Sequence, residues 1–439
     1  MALTKVTSTM IVGAALNPLD YGAVSGPSGD KAANSVAIQA CVDAAIASGV
    51  GVHINSGDNY RISTAITISS PITITADNDL GILCYGCDGF VILAGVSSVT
   101  MDGVYIAHSP PHTTTPNTYS GVKIAATGSP TSSYNCFRNL FINGFGNGIS
   151  ATYTWASNFE GLKILNCNIG IYGAGLCVNN TVSNCQIIGT SASVAGIQVG
   201  DGTAAAEGWL IQNNLIFGQT YGVYCYQSSN NNITNNIIDA IVNTGVLLFG
   251  DANYASTNCT ITDNYIAGDT MANGIRCKND YAAAVAQYRG NYIAGNQILG
   301  YTTLAYGITI DGAYERKNII TGNRTVNKGG AGYDCFITVG ADHIVANNIW
   351  QGLGYYANVP VIYSNNLGII LAADNNLSLN IFNHIVQYAV TIPTTGTWSQ
   401  GDIVWNETPT AGGTPGWVCT TSGTLPTTGV FKAMANLAA

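Results

Sequence analysis

Four stretches of the chain share one pattern: Ile211-Gln212-Asn213-Asn214-Leu215-Ile216, Ile233-Thr234-Asn235-Asn236-Ile237-Ile238, Ile261-Thr262-Asp263-Asn264-Tyr265-Ile266 and Val345-Ala346-Asn347-Asn348-Ile349-Trp350. In each, an apolar residue and a spacer lead into Asn or Asp, a second Asn, another spacer and a second apolar residue. Degenerate copies run through 182–187, 293–298 and 320–325. A second landmark accompanies the copies, a glycine ahead of a short alternating strand, at Gly148, Gly170, Gly196, Gly222, Gly245, Gly274 and Gly307. Successive landmarks lie 22 to 33 residues apart. Self-similarity of constant order and variable length marks a solenoid whose repeats carry loop insertions.

One such repeat cannot bury its apolar side alone, so the repeats must stack. Coils separated by the parallel strand spacing of roughly 4.8 Å hydrogen-bond to one another, with alternate side chains pointing in and out. Ile, Val, Leu and Cys then line a continuous core. The expected fold is all-β, a right-handed parallel β-helix (a single-stranded solenoid). The repeated Asn is read as structural, a turn residue whose amide bonds backbone and the Asn of the next coil and which tolerates left-handed backbone.

The ends differ from the repeats. Ile38, Cys41, Val42, Ala45 and Ile46 follow helical spacing after Asp30 and predict one amphipathic helix. A solenoid end must be covered, so this helix is the expected cap. Residues 385–439 leave the repeat, and their Gly-Asp-Ile-Val-Trp and Gly-Trp-Val-Cys-Thr segments predict a small C-terminal β module. The expected division is 1–75 leading segment and capping helix, 76–384 β-helix, and 385–439 C-terminal module.

Composition bounds the function. Charged residues are 8% and hydrophobic residues 47%, so the surface is made of Asn, Ser, Thr, Gly and Tyr. A net charge of −9 without a basic stripe argues against nucleic acid. No apolar run approaches the ~20 residues that span a bilayer, so no membrane insertion is expected. The opening MALTKVTSTM lacks the apolar core of a signal peptide, and release by cell lysis is the expected route outward. The 12 cysteines are scattered; Cys84 and Cys87 have metal-knuckle spacing with no second pair, and Cys225 and Cys277 fall at core positions. They read as reduced core residues. Neither a metal nor another cofactor is expected.

Three further segments carry a resemblance: Leu19-Asp20-Tyr21-Gly22-Ala23-Val24, then Ala37-Ile38-Gln39-Ala40, then Tyr60-Arg61-Ile62-Ser63. This succession resembles the N-terminal signature of pectate-lyase-like β-helices, common in bacteriophage tailspikes and tail-associated polysaccharide depolymerases. Gly401-Asp402-Ile403-Val404-Trp405-Asn406 and Gly416-Trp417-Val418-Cys419 look like a tail module of such proteins. The resemblance implies a homotrimer on a phage virion, joined to a tail or baseplate protein, that binds and cleaves a bacterial surface polysaccharide. Asn34-Ser35 stands where the family has an acidic pair, and Asn55-Ser56-Gly57-Asp58-Asn59 where it has Pro-Pro-Gly. The family's longer virion-attachment domain is expected to be missing, through truncation or because another protein attaches the spike. Catalytic positions vary across the family, so none carries over by motif.

Candidate site residues come from the repeat itself. After each landmark glycine, positions +1 and +3 point inward and +2 and +4 outward. The outward set contains Tyr224, Tyr226, Phe249, Arg276, Lys278 and Asp311, predicted to share one face over four coils. Aromatic rings stack on sugar C–H surfaces and cations bind hydroxyls or uronate carboxylates; the competing reading is strand stabilisation or subunit packing. Trp209, Tyr254, Tyr288 and Tyr314 are added as substrate-binding candidates, the last three on long insertions that also carry Tyr281. The acidic residues Asp201, Glu207, Asp251, Asp280, Asp311 and Glu315 cluster beyond the same strands, and two of the four Glu of the chain are among them. Carboxylates on adjacent or alternate coils would lie about 5 or about 10 Å apart, straddling retaining and inverting glycosidase spacings. Glycosidic hydrolysis by a pair from this set is the leading expectation. A lyase using Arg276 and Lys278 with Tyr224 or Tyr226 is the enzymatic alternative. A spike that binds without cleaving is the other.

Overall fold

The computed structural model describes residues 14–436 except 56–57, 78–79, 114, 116, 127, 129–130, 205, 252–254, 281–289, 301–305, 328–331, 339, 341, 352–353, 358, 360, 365, 369–378 and 382–383. Three parallel sheets of 13, 13 and 12 strands run along a right-handed β-helix, each strand pairing with its counterpart one coil away. The first sheet begins at Val52–Ile54, the second at Tyr60–Ile62 and the third at Ile66–Ile68. The first coil therefore already lies within the segment 1–75. One apolar cluster fills the bore from Leu16 to Trp350, with Ile, Val and Cys stacked in register.

The two landmarks have separate physical causes. The first Asn of each repeat adopts left-handed backbone, with φ 57° at Asn213, 55° at Asn235, 57° at Asp263 and 56° at Asn347. Glycine takes the same place at Gly295 and Gly322. The second Asn points inward and builds a ladder through Asn214, Asn236, Asn264, Asn296, Asn323, Asn348 and Asn366. Asn264 is typical. Its Oδ1 accepts from the N–H and Nδ2 of Asn236, while its Nδ2 donates to Asn296 Oδ1 and to the Ile233 carbonyl. A buried amide whose donors and acceptors are all used is stabilising rather than costly.

The landmark glycines have no such left-handed requirement. They are glycine because the next coil lies too close. A Cβ at Gly245 would meet Ile266 Cγ2 at 2.2 Å and the Gly274 carbonyl oxygen at 2.6 Å, and Gly222 and Gly274 are as tightly walled.

The helix Lys31–Ser48 starts at the Asp30 cap and ends at Gly49, where φ is 67°. It stands in for the coil that would precede the first. Gln39 accepts from the N–H of Thr67 and donates to its carbonyl, while Ser35 Oγ accepts from the N–H groups of Ser63 and Thr64. Asn34 likewise pairs with both backbone groups of Val24 and donates to the Arg61 carbonyl. The Asn34-Ser35 departure from the family pattern is thus a working staple of the cap.

At the other end, Leu379–Ile381, His384–Ala389, Ile403–Asn406, Gly416–Thr421 and Val430–Ala433 form a separate five-stranded sheet. Its own small core holds Trp398, Val404 and Cys419. This sheet starts at 379, slightly before the expected boundary at 385.

Candidate functional site

The third sheet carries the candidate face. Its in-register columns pair Gln198 with Tyr224, Tyr224 with Leu247, Leu247 with Arg276, and Arg276 with Thr309. Beside them run Tyr226, Phe249 and Lys278. The intervening Val223, Cys225, Val246, Leu248, Ile275, Cys277, Ile308 and Ile310 are buried, so the alternation expected from the landmark glycine places the outward residues together.

The aromatic residues pack into one patch. Ring centroids are 5.3 Å apart for Tyr221 and Tyr224, 5.7 Å for Tyr224 and Tyr226, and 5.3 Å for Tyr226 and Phe249. The Lys278 ammonium sits 5.5 Å from the Phe249 ring centre. Burial and the neighbouring phenols raise the Tyr224 pKa well above its usual value, so the hydroxyl stays protonated.

Two carboxylates flank Tyr226. The Tyr226 hydroxyl donates to Asp251 Oδ2 at 3.2 Å, and Gln227 Nε2 donates to Asp251 Oδ1. On the other side, Asp201 follows Gly200, which directly follows the strand Ala195–Val199 that pairs with Tyr221–Tyr226. The next residue, Gly202, lies so close to the phenol that a Cβ would come within 2.9 Å of its ring and oxygen. Asp201 accepts from the N–H and Oγ1 of Thr203. Burial, the Asp251 hydrogen bond and the charges of Asp251 and Asp201 all raise the Tyr226 pKa. Asp201 and Asp251 are two coils apart with Tyr226 on the coil between them.

The charges further along the face are neutralised. The Arg276 guanidinium holds Asp311, with Nε 3.1 Å from each carboxylate oxygen and Nη2 on Oδ2. Lys278 lies 3.6 Å from Asp280, which also accepts the Ala313 N–H at 3.2 Å. Tyr314 is half-buried on the following loop, its N–H donating to the Asn279 carbonyl.

Two expectations need correction. Trp209 is 0% exposed and cannot touch a polymer. It lies on the inward side with Phe159 stacked at 6.3 Å, and its indole N–H donates to the Cys177 carbonyl. Glu315 is also 0% exposed, so it does not reach a bound chain. Burial pushes its carboxyl up to about 8; Asn318 Nδ2 donates to Oε2, while Oε1 has no hydrogen-bond partner among the described residues. Glu207 is exposed but belongs to the short strand Ala206–Glu207 leading back toward the first sheet, where Asn230 Nδ2 donates to it. Tyr254, Tyr281 and Tyr288 lie outside the described residues.

A second aromatic patch went unread in the sequence. Phe336 pairs with Thr309 and Tyr356 with Phe336, extending the outward column by two coils. Tyr306 stacks on Phe336 at 4.4 Å, and Tyr333 lies 5.9 Å from Phe336 and 5.1 Å from Tyr356. The signal was present but disguised, because Asp334 occupies the place of the landmark glycine. From Tyr224 to Phe336 is four strand steps, about 19 Å. The two patches therefore bracket the Arg276–Asp311 and Lys278–Asp280 pairs.

Comparison with known proteins agrees on architecture. The family described as "Right handed beta helix region" matches residues 202–298. No curated protein sequence matches the chain. Among solved structures, a tailspike protein variant of E. coli bacteriophage HK620 in complex with a pentasaccharide superposes with a TM-score of 0.54 at 12% identity, covering 78% of this chain and 67% of that one. The A-module of a mannuronan C-5 epimerase from Azotobacter vinelandii gives 0.52 at 15% identity, covering 81% and 97%. DFA-IIIase from Arthrobacter chlorophenolicus A6 in complex with DFA-III gives 0.51 at 14%, covering 71% and 84%. What the chain shares with these proteins is the right-handed β-helix.

Proposed function

We propose that the third-sheet face binds a bacterial surface polysaccharide and cleaves it by glycosidic hydrolysis, with Asp201 and Asp251 as the acid pair. The observation that carries this reading is the placement of two carboxylates on either side of the Tyr226 phenol, on alternate coils of an aromatic face. Alternate coils are about 10 Å apart, close to the roughly 6.5–9.5 Å that inverting glycosidases leave for an attacking water. In this reading Asp251, which accepts hydrogen bonds from Tyr226 and Gln227, activates the water as base, and Asp201 protonates the leaving oxygen.

Elimination is less well supported. A lyase needs a cation free to neutralise a uronate, and among the described residues Arg276 and Lys278 each already face a carboxylate. The fold shared with a tailspike seen with a pentasaccharide supports placement on a phage tail, where the host polysaccharide is the first partner.

A homotrimer is supported by the outer faces of the other two sheets. Tyr292, Ile319, Ile344 and Ile362 follow one another up the first sheet on successive coils, and Phe217 and Ile237 protrude from the second. Exposed apolar faces of this kind fit association of identical chains.

The test is incubation with purified capsular, lipopolysaccharide and exopolysaccharide preparations from candidate hosts. New reducing ends are followed together with the ultraviolet absorbance of an unsaturated uronate. Reducing ends alone are expected. Reducing ends with rising absorbance would replace hydrolysis by elimination, and tight binding with neither signal would make the protein a receptor-binding spike.

A further inference from the structure

The second aromatic patch lies away from Asp201 and Asp251, yet it continues the same lane of side chains. Tyr221, Thr244, Asn273 and Tyr306 follow one another in register on successive coils. Beside them runs the row Tyr224, Leu247, Arg276, Thr309, Phe336 and Tyr356. Aromatic rings therefore stand at both ends of each row. Cys335 and Ile337, on either side of Phe336, are 0% exposed, so Phe336 projects away from the core.

The stretch between the two patches is low and charge-balanced. Thr244, Leu247, Asn273 and Thr309 are each less than a tenth exposed, and Thr309 Oγ1 donates to Asn273 Oδ1 at 2.7 Å. The cations Arg276 and Lys278 each face a carboxylate, Asp311 and Asp280. A ligand lying along this floor meets hydrogen-bonding groups without a net charge, which suits an uncharged sugar chain better than an acidic one.

The second patch is also held in shape before anything binds. Asp334, in the place of the landmark glycine, is 0% exposed; Thr325 Oγ1 donates to its Oδ1 and the Gly354 N–H to its Oδ2. Gly354 leads into the strand Tyr355–Ala357, so this carboxylate ties the coil of Phe336 to that of Tyr356. Around Phe336 the rings of Tyr306, Tyr333 and Tyr356 lie 4.4, 5.9 and 5.1 Å away, all partly exposed. Apolar rings tipped with phenol hydroxyls offer a sugar both C–H contact and hydrogen bonds, and a preorganised surface spares the cost of ordering it.

We propose that Tyr306, Tyr333, Phe336 and Tyr356 form a second sugar-binding subsite, which holds an uncharged stretch of the same polysaccharide chain on which Asp201 and Asp251 act. This subsite presupposes that the third-sheet face is the polysaccharide site. Two contacts on one polymer reinforce each other, because the first raises the effective concentration of the chain at the second. Long chains are thus held far more tightly than fragments that reach only one patch.

The experiment uses the full-length Asp251→Asn protein and the purified capsular, lipopolysaccharide or exopolysaccharide preparation that it binds, together with length-sorted oligosaccharides made from that polymer by partial acid hydrolysis. Affinity should step up by about 10-fold once an oligosaccharide spans both patches, and added salt should leave the step in place. Phe336→Ala combined with Tyr356→Ala should abolish the step, with circular dichroism and sedimentation unchanged. Hydroxyl-radical footprinting, which needs neither of these substitutions, should show the polymer protecting Tyr333, Phe336 and Tyr356 along with Tyr224 and Tyr226. Protection confined to Tyr224 and Tyr226, or a step that survives the double substitution, would overturn the second subsite and leave the acid pair standing. A smaller sedimenting species with unaltered affinity would make the patch a subunit contact instead. A step erased by salt would overturn the uncharged ligand. New reducing ends released at the wild-type rate by Asp251→Asn would count against the acid pair alone, and binding to none of the preparations would remove both readings.

Discussion

Glu315 is the residue whose behaviour the structure fixes most tightly. An ordinary carboxyl titrates near 4.5, and burial raises this one to about 8. Between these values the unfolded chain has lost the proton that the folded chain keeps, so stability falls as pH rises through that window and levels off above it. Glu315→Gln should flatten this dependence and raise the melting temperature relative to the wild type near pH 8. Thermal scans across the window check it; parallel curves for the two proteins would contradict it. The sequence placed Glu315 among exposed acids because its loop follows Asp311. What it could not display is that the chain turns inward there, three residues before Asn318 of a buried polar row. Trp209 misleads for the same reason, since it fills an inward position whose N–H bonds Asn231 Oδ1.

At the scale of the element, the coil was legible because its two landmarks answer to different constraints. A left-handed Asn can give way to Gly, so Asn235→Gly is expected to change stability by no more than about 0.5 kcal/mol. The inward Asn cannot be lost so easily. Asn264→Ala strips partners from Asn236, Asn296 and the Ile233 carbonyl, at about 1–3 kcal/mol for a buried group left unpaired. Gly245→Ala forces a Cβ into the wall of Ile266 and Gly274 and should cost about 1–3 kcal/mol as overpacking. Denaturant midpoints of the three variants check this order; an Asn235→Gly variant as weak as Asn264→Ala would contradict it. The alternation after each glycine gave the outward face correctly from Tyr224 to Asp311. It lost the face beyond Gly307 because Asp334 replaces the landmark, which hid Phe336 and Tyr356.

For the whole molecule, the three sheets divide the surface by chemistry. The third carries the two aromatic patches and the Arg276–Asp311 and Lys278–Asp280 pairs, while the strands of the first, from Thr181–Ser183 to Val361–Ser364, present no charged residue outward. Ile319→Asp combined with Ile362→Asp should lower the sedimentation coefficient from that of a trimer to that of a monomer, with the β-sheet circular dichroism retained. A wild type that sediments as a monomer at micromolar concentration would refute the packing role.

The central claim concerns Asp201, Asp251 and Tyr226, and one comparison tests it most directly. On the host polysaccharide that the wild type cleaves, the release of reducing ends is measured for Asp201→Asn, Asp251→Asn and Asp311→Asn, each alongside its polysaccharide affinity. The account predicts that Asp201→Asn and Asp251→Asn each lose about 10²–10⁴-fold in cleavage rate while still binding, and that Asp311→Asn, whose carboxylate serves Arg276, loses far less. Undiminished cleavage by Asp201→Asn or Asp251→Asn would contradict it and move the chemistry elsewhere on the helix.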